Sequence, residues 1–222
     1  KIALIGYGKM GHMIESIAKK RGNSIVATID SYANDASVKA STPEEIAKAV
    51  KEKLISMDKN TEVTLNTYPP CDLDLIECLR DSNIAVMLSL ETVDTQLREK
   101  ICPGKSVLFA SHGVDNLFKR FVDVVGKGRV LAFVIEGIED EEEILRGVSK
   151  YGAMGVSVVV HVLHVDPGTW IAEQNMTAPS PEVILETAEK VSKIYCENNL
   201  STSILYGGRS SLDAESSCGL VE

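Results

Sequence analysis

Short runs of β-branched and apolar residues alternate along this chain with longer stretches of helical period. Residues 2–5, 24–29, 61–65, 84–88, 106–110, 130–135, 156–165 and 202–206 predict strands, because such runs are too brief for helices and pack well on a pleated surface. Residues 11–21, 43–57, 72–81, 92–101, 115–126, 140–151 and 181–198 predict helices. Start signals accompany two of them. Ser41-Thr42-Pro43-Glu44-Glu45 sets a hydroxyl cap, a first-turn proline and early carboxylates in order, and Ser180-Pro181-Glu182 repeats the device. Strands alternating with helices imply an α/β fold, a doubly wound parallel sheet covered on both faces, joined here to a smaller α+β segment.

Length divides that pattern. At roughly 150 residues per domain, 222 residues make about one and a half domains. The expected boundary separates residues 1–112, a nucleotide-binding sheet, from 113–222, a substrate-binding and oligomerisation segment with a return strand at 202–206. A hydrophobic share of 44% and a charged share of 25% are those of a globular chain, which excludes disorder. The net charge of -9 and the lack of any basic block argue against a nucleic-acid partner. The most apolar stretch, 156–165, is shorter than the ~20 residues that span a bilayer, so no membrane partner is expected. The opening residues read as strand and not as a secretory leader, which makes the cytoplasm the expected compartment. Five scattered cysteines, Cys71, Cys78, Cys102, Cys196 and Cys218, fit reduced thiols, and no metal site is expected. The acidic run 139–143 reads as a solvated first helical turn.

The strongest local signal is Gly6-Tyr7-Gly8-Lys9-Met10-Gly11, placed between the first strand and the first helix. In a Rossmann-type dinucleotide fingerprint the first glycine makes a tight turn, the second admits a pyrophosphate and the third lets helix and strand pack closely. The helix start offers unpaired N–H groups to phosphates. Asp30, at the end of the second strand, is placed to accept ribose hydroxyls, and no arginine follows it before Arg80. NADH is therefore favoured over NADPH as the expected cofactor. Ser89 follows the fourth predicted strand, and Ser111-His112-Gly113 follows the fifth, where a flexible turn could approach a nicotinamide ring; His112 reads equally well as a turn residue capping the next helix.

A second cluster runs from Val160 to Trp170. On an extended strand His161 and His164 point to opposite faces, which disfavours a shared metal. Either imidazole could pass a proton to a substrate, although two ordinary histidines on a strand remain the plainer reading. Asp166-Pro167-Gly168-Thr169 is a turn by composition, and its amides and the Thr169 hydroxyl could hold a carboxylate.

The first thirty residues, through Ile14, Ile17, Ala18, Arg21, Gly22 and Ile25 to Asp30, resemble the N-terminus of bacterial 4-hydroxy-tetrahydrodipicolinate (dihydrodipicolinate) reductases. Ser89 and Ser111-His112-Gly113 fall where that family has a Ser/Thr and a Gly-Thr-Thr-Gly loop. His161 matches the second histidine of the family's signature, and His164 stands where the family has its catalytic lysine. Asp166, Pro167, Gly168 and Thr169 keep their types, while Val160 replaces the first histidine and Trp170 an alanine. The resemblance implies an NAD(P)H-dependent reductase of a small cyclic dicarboxylate in lysine and diaminopimelate biosynthesis, working as a homo-oligomer. It assigns proton donation to His161 and His164 and substrate binding to Gly168 and Thr169. Two other readings remain open: a non-catalytic NAD(P)-binding or redox-sensing protein, and a reductase of the same superfold with another substrate.

Overall fold

A computed structural model describes residues 2–55 and 63–200. The described chain is α/β, as the alternation implies, and it divides into two compact units. The first comprises Lys1–Leu65 and Asp74–Ile84, and the second Asn66–Leu73 and the residues from Ala85 onward. Residue 113, the expected boundary, lies between two helices of the second unit.

In the first unit, β1 (Ile2–Ile5) and β2 (Ile25–Ile29) pair in parallel as a two-stranded sheet, joined by α1 (Lys9–Lys20). Behind β2, α2 (Pro43–Ile55) closes a small core in which Ala27, Ile29 and Ala40 meet Ala3, Val38, Ile46 and Val50. Thr42 Oγ1 accepts the Glu45 N–H while the Glu45 carboxylate accepts the Ser41 and Thr42 N–H groups, a capping box that begins α2. A 3-10 turn over Leu73–Leu79 stands where 72–81 predicts an α-helix, and it buries Ile76 and Leu79 completely.

In the second unit four strands lie in chain order: β3 (Thr64–Thr67, whose first two residues belong to the first unit), β4 (Ala85–Glu91), β5 (Val130–Glu136) and β6 (Val156–Val162). β4, β5 and β6 pair in parallel, with Met87 beside Leu131 and Ile135 beside His161. α3 (Thr95–Ile101), α4 (Pro103–His112) and α5 (Val114–Val125) follow β4, and α6 (Glu141–Ala153) follows β5. After β6 come the single turn α7 (Trp170–Glu173) and α8 (Pro181–Glu197).

Alternate residues of the sheet face opposite ways. One face, with Val86, Leu88, Leu90, Val130, Ala132, Val134, Val156 and Val158, is wholly buried. α5, α6 and α8 pack against the sheet, with Phe118 of α5 edge-on to Tyr151 of α6 at 5.0 Å and the Tyr195 hydroxyl of α8 donating to the Val158 carbonyl at 2.6 Å. On the other face Met87, Ser89, Phe133, Ile135 and His161 are half-buried.

Two expectations change, and a third falls outside the described residues. Residues 106–110 belong to helix α4 and not to a strand. Pro103 occupies its first turn, Ser106 and Phe109 are buried at helical spacing, and Phe109 lies under the Arg98 guanidinium, so tertiary packing decides a run too short to show its own period. The strand expected over 156–165 ends at Val162, which leaves His164 in the following loop and removes it from the alternation argument. The return strand expected at 202–206 lies outside the described residues.

Candidate functional site

The glycine turn forms as its sequence implies. Gly6 has φ of 85°, and a Cβ on Gly11 would meet the Gly6 carbonyl oxygen at 2.4 Å, so only glycine lets α1 pack this closely on β1. Gly8 caps α1 with no side-chain hydrogen bond, and Lys9 opens the helix. Tyr7 is buried, stacks on His12 at 4.1 Å and donates its hydroxyl to Glu15, which pushes the phenol up to about 12.

Asp30 serves this turn directly. Its carboxylate accepts the N–H groups of Tyr7 at 2.7 Å, Tyr32 at 2.7 Å and Ala33 at 2.8 Å. These bonds, led by Ala33, hold its acidity below the usual carboxylate range. Three of about four lone-pair positions are thus spent on backbone, which leaves little for a ribose. Among the described residues β1 pairs with β2 alone, and β4 lies in the other sheet. A dinucleotide sheet places strands of both halves on either side of the first strand, and among the described residues no such second partner of β1 is seen. Met10, 72% exposed, stands on the open face of α1 with Met13, Ile14 and Ile17.

Ser111 and His112 are the last turn of α4 and form no loop after a strand. The Ser111 hydroxyl donates to the Leu108 carbonyl at 2.7 Å, His112 Nε2 lies 2.8 Å from the Pro70 carbonyl, and Gly113, with φ of 73°, joins α4 to α5.

The carboxyl ends of β4 to β6 carry more chemistry. Pairing of β4 with β5 shifts register between Ser89 and Glu91, and Glu91 takes a left-handed φ of 66°. Such a bulge re-aims the side chain, and a non-glycine residue in that conformation needs support from its surroundings. The support is Arg98, 1% exposed, which donates to the carbonyls of Leu90, Thr92 and Val93. Glu139 adds to it by accepting the N–H groups of Val93 at 2.7 Å and Asp94 at 3.0 Å. Burial pushes the Glu139 carboxyl up despite those two bonds. Glu91 forms an ion pair with Lys105 of α4.

Glu91 also lines a mainly apolar cavity of about 430 Å³ with Ile101, Cys102, Ile135, Ile138, Thr169, Trp170, Ile171 and Met176. Parallel α/β sheets bind ligands at this edge. His161 lies one strand over, beside Ile135, with Phe133 edge-on to its ring at 4.3 Å. Burial lowers its proton affinity, Glu91 opposes that, and exposed His164 adds to the lowering, which favours the neutral imidazole.

Gly168, with φ of 82°, and Thr169 close the predicted turn. The Thr169 hydroxyl donates to the Asp166 carbonyl at 2.7 Å and accepts the Ala172 N–H, so it is the cap of α7. The sequence reading names His161 and Thr169 as candidates near this cavity and does not single out Glu91, Lys105, Cys102, Trp170, Arg98 or Glu139. The acidic run was legible as the start of α6, where Glu141, Glu142 and Glu143 stand, but nothing in it distinguished Glu139. Among the described residues no group of three or more metal-binding side chains assembles, and no helix is long and apolar enough to cross a membrane.

No family model matches this sequence, and no curated protein matches it. A solved structure of a radical SAM methyltransferase from Sphaerobacter thermophilus aligns at a TM-score of 0.46 and 16% identity, over 92% of this chain and 57% of that one. This chain thus spans little more than half the length of that structure. The resemblance to dihydrodipicolinate reductases is accordingly withdrawn, and with it the NAD(P)H-dependent reductase activity, the place in lysine biosynthesis and the NADH or NADPH cofactor. The local likeness at residues 1–30 is carried by a glycine turn whose Asp30 is committed to backbone and, among the described residues, by a first strand that pairs with β2 alone.

Proposed function

We propose that the second unit binds a small organic molecule at the carboxyl ends of β4 to β6 and that His161 moves a proton there. The apolar part of the ligand enters the cavity between Ile135, Ile138 and Ile171, and the Glu91–Lys105 pair meets its polar end. His161, whose proton affinity burial lowers and which lies on the same sheet face as Ile135, is suited to accept a proton before it donates one. The observation that carries this reading is the strained Glu91, held by buried Arg98 at the mouth of an apolar cavity.

Trp170 is the one tryptophan in the chain and lines the cavity, so its emission reports occupancy. Titration with 8-anilinonaphthalene-1-sulfonate, which has an apolar body and one anionic group, is expected to quench Trp170 saturably by energy transfer. Ile138→Phe, which fills the cavity, abolishes that quenching. Unsaturable quenching, or quenching unchanged in Ile138→Phe, rejects the site.

A further inference from the structure

Helix α1 of the first unit carries an apolar stripe on its open side. At about 100° per residue, Met10, Met13, Ile14 and Ile17 fall within an arc of roughly 100°. The four are between 46% and 72% exposed, while Gly11 and Ala18, the next positions round the helix, are buried. Single exposed apolar side chains are ordinary, but four adjoining ones mark a contact surface.

Charge is sorted about that stripe. Lys9 and Lys20 border the edge away from Gly11 and Ala18, Arg21 follows as the C-cap residue, and none of the three enters an ion pair among the described residues. The carboxylates lie elsewhere. Glu15 is on the far side of the helix, paired with Lys19 at 2.7 Å and accepting the Tyr7 hydroxyl. Asp35 meets His12, which also projects away from the stripe, at 3.3 Å, and Asp30 is spent on backbone N–H groups. The whole chain carries a net charge of -9, but at physiological salt charges act over only about 8 Å, so the cations beside the stripe outweigh distant acidic residues.

An apolar stripe edged by unpaired cations fits an anionic lipid surface, where the apolar side chains enter the acyl boundary and the charged groups stay with the headgroups. A second copy of the chain fits worse. Antiparallel stripes would set Lys9 against Lys20 and Arg21, and parallel stripes would set each cation against its equal. Four side chains on a three-turn helix also fall short of the roughly 800 Å² per partner that a stable protein interface buries. We propose that α1 lies along an anionic lipid surface, with Met10, Met13, Ile14 and Ile17 inserted and Lys9, Lys20 and Arg21 among the headgroups. Such contact needs no spanning segment, and it is independent of the His161 site, which belongs to the other unit.

The test is co-sedimentation of the whole chain with vesicles of phosphatidylcholine and, in a second arm, of phosphatidylcholine and phosphatidylserine mixed two to one. The chain should bind the anionic vesicles, bind the neutral ones far more weakly and dissociate as salt is raised, a comparison that needs no variant. Each cation at such a surface is worth roughly fivefold in affinity, so Lys20→Gln with Arg21→Gln should weaken binding by about twenty-fivefold. Met13→Gln with Ile17→Gln, at exposed positions where glutamine keeps the helix, should weaken it by about tenfold or more with circular dichroism unchanged. No binding to the anionic vesicles, equal binding to both kinds, or undiminished binding in either double variant would overturn the proposal. So would a dimer in sedimentation velocity that Met13→Gln with Ile17→Gln dissociates, because the stripe would then belong to a second copy.

Discussion

Arg98 Nε donates to the Leu90 carbonyl at 2.9 Å, and the same guanidinium holds the carbonyls of Thr92 and Val93. One buried side chain thus fixes the strand end from which Glu91 projects in a left-handed conformation. Arg98→Met leaves three carbonyls without this donor. It should destabilise the second unit by about 3 kcal/mol, read as a lowered denaturant midpoint. Arg98→Lys should recover little, because a single ammonium lacks the planar fork that reaches several acceptors at once.

Gly11→Ala should destabilise the first unit by about 1–3 kcal/mol, since the new methyl meets the Gly6 carbonyl at a distance no packing tolerates. Amide exchange would speed up in β1, β2 and α1. Protection in β4 to β6 should not change, because those strands belong to the other unit.

Glu44 is completely buried, and neither carboxylate oxygen has a hydrogen-bond partner among the described residues. Replacing that unpartnered carboxyl should help the fold. Glu44→Gln is expected to raise stability by about 1 kcal/mol or more, measured by thermal unfolding at neutral pH.

Glu136 is 4% exposed, and burial raises its proton affinity, against the hydrogen bond that the Thr187 hydroxyl donates to it and with help from the nearby Glu141 carboxylate. The folded state therefore holds this proton more tightly than the unfolded chain does. Its contribution to stability is fully present below the ordinary glutamate value of 4.5 and declines as pH rises from there through the raised value. Glu136→Gln should flatten that decline in urea unfolding measured from pH 4 to pH 8, with the variant gaining on the native chain as pH rises. A parallel decline in both proteins would contradict the assignment.

How legible these features are in the sequence depends on what sets them. β5 and β6 are long Val- and Ile-rich runs buried on one face, and their positions follow directly from composition. The start of α2 is equally plain, because the Ser41 to Glu45 capping box is a local device. Residues 106–110 have five positions and no readable period, and burial of Phe109 against Arg98 makes them helical. At the site, His161 and Thr169 stand out as polar residues at the end of an apolar run. Glu91 does not, since its importance comes from a bulge that Arg98 and Glu139 impose from other elements. The glycine turn misled for the opposite reason. Its local geometry is faithful to the dinucleotide fingerprint, but a fingerprint of six residues cannot report which strand pairs with β1.

The placement of a ligand at the carboxyl edge of β4 to β6 can be read directly from isoleucine methyl spectra. Ile101, Ile135, Ile138 and Ile171 line the cavity, whereas Ile14 and Ile17 lie on the exposed stripe of α1 in the other unit. During titration with 8-anilinonaphthalene-1-sulfonate, the first four methyl signals should shift together along a single saturation curve while Ile14 and Ile17 stay in place. Shifts confined to Ile14 and Ile17, or four cavity methyls that do not move, would contradict the account.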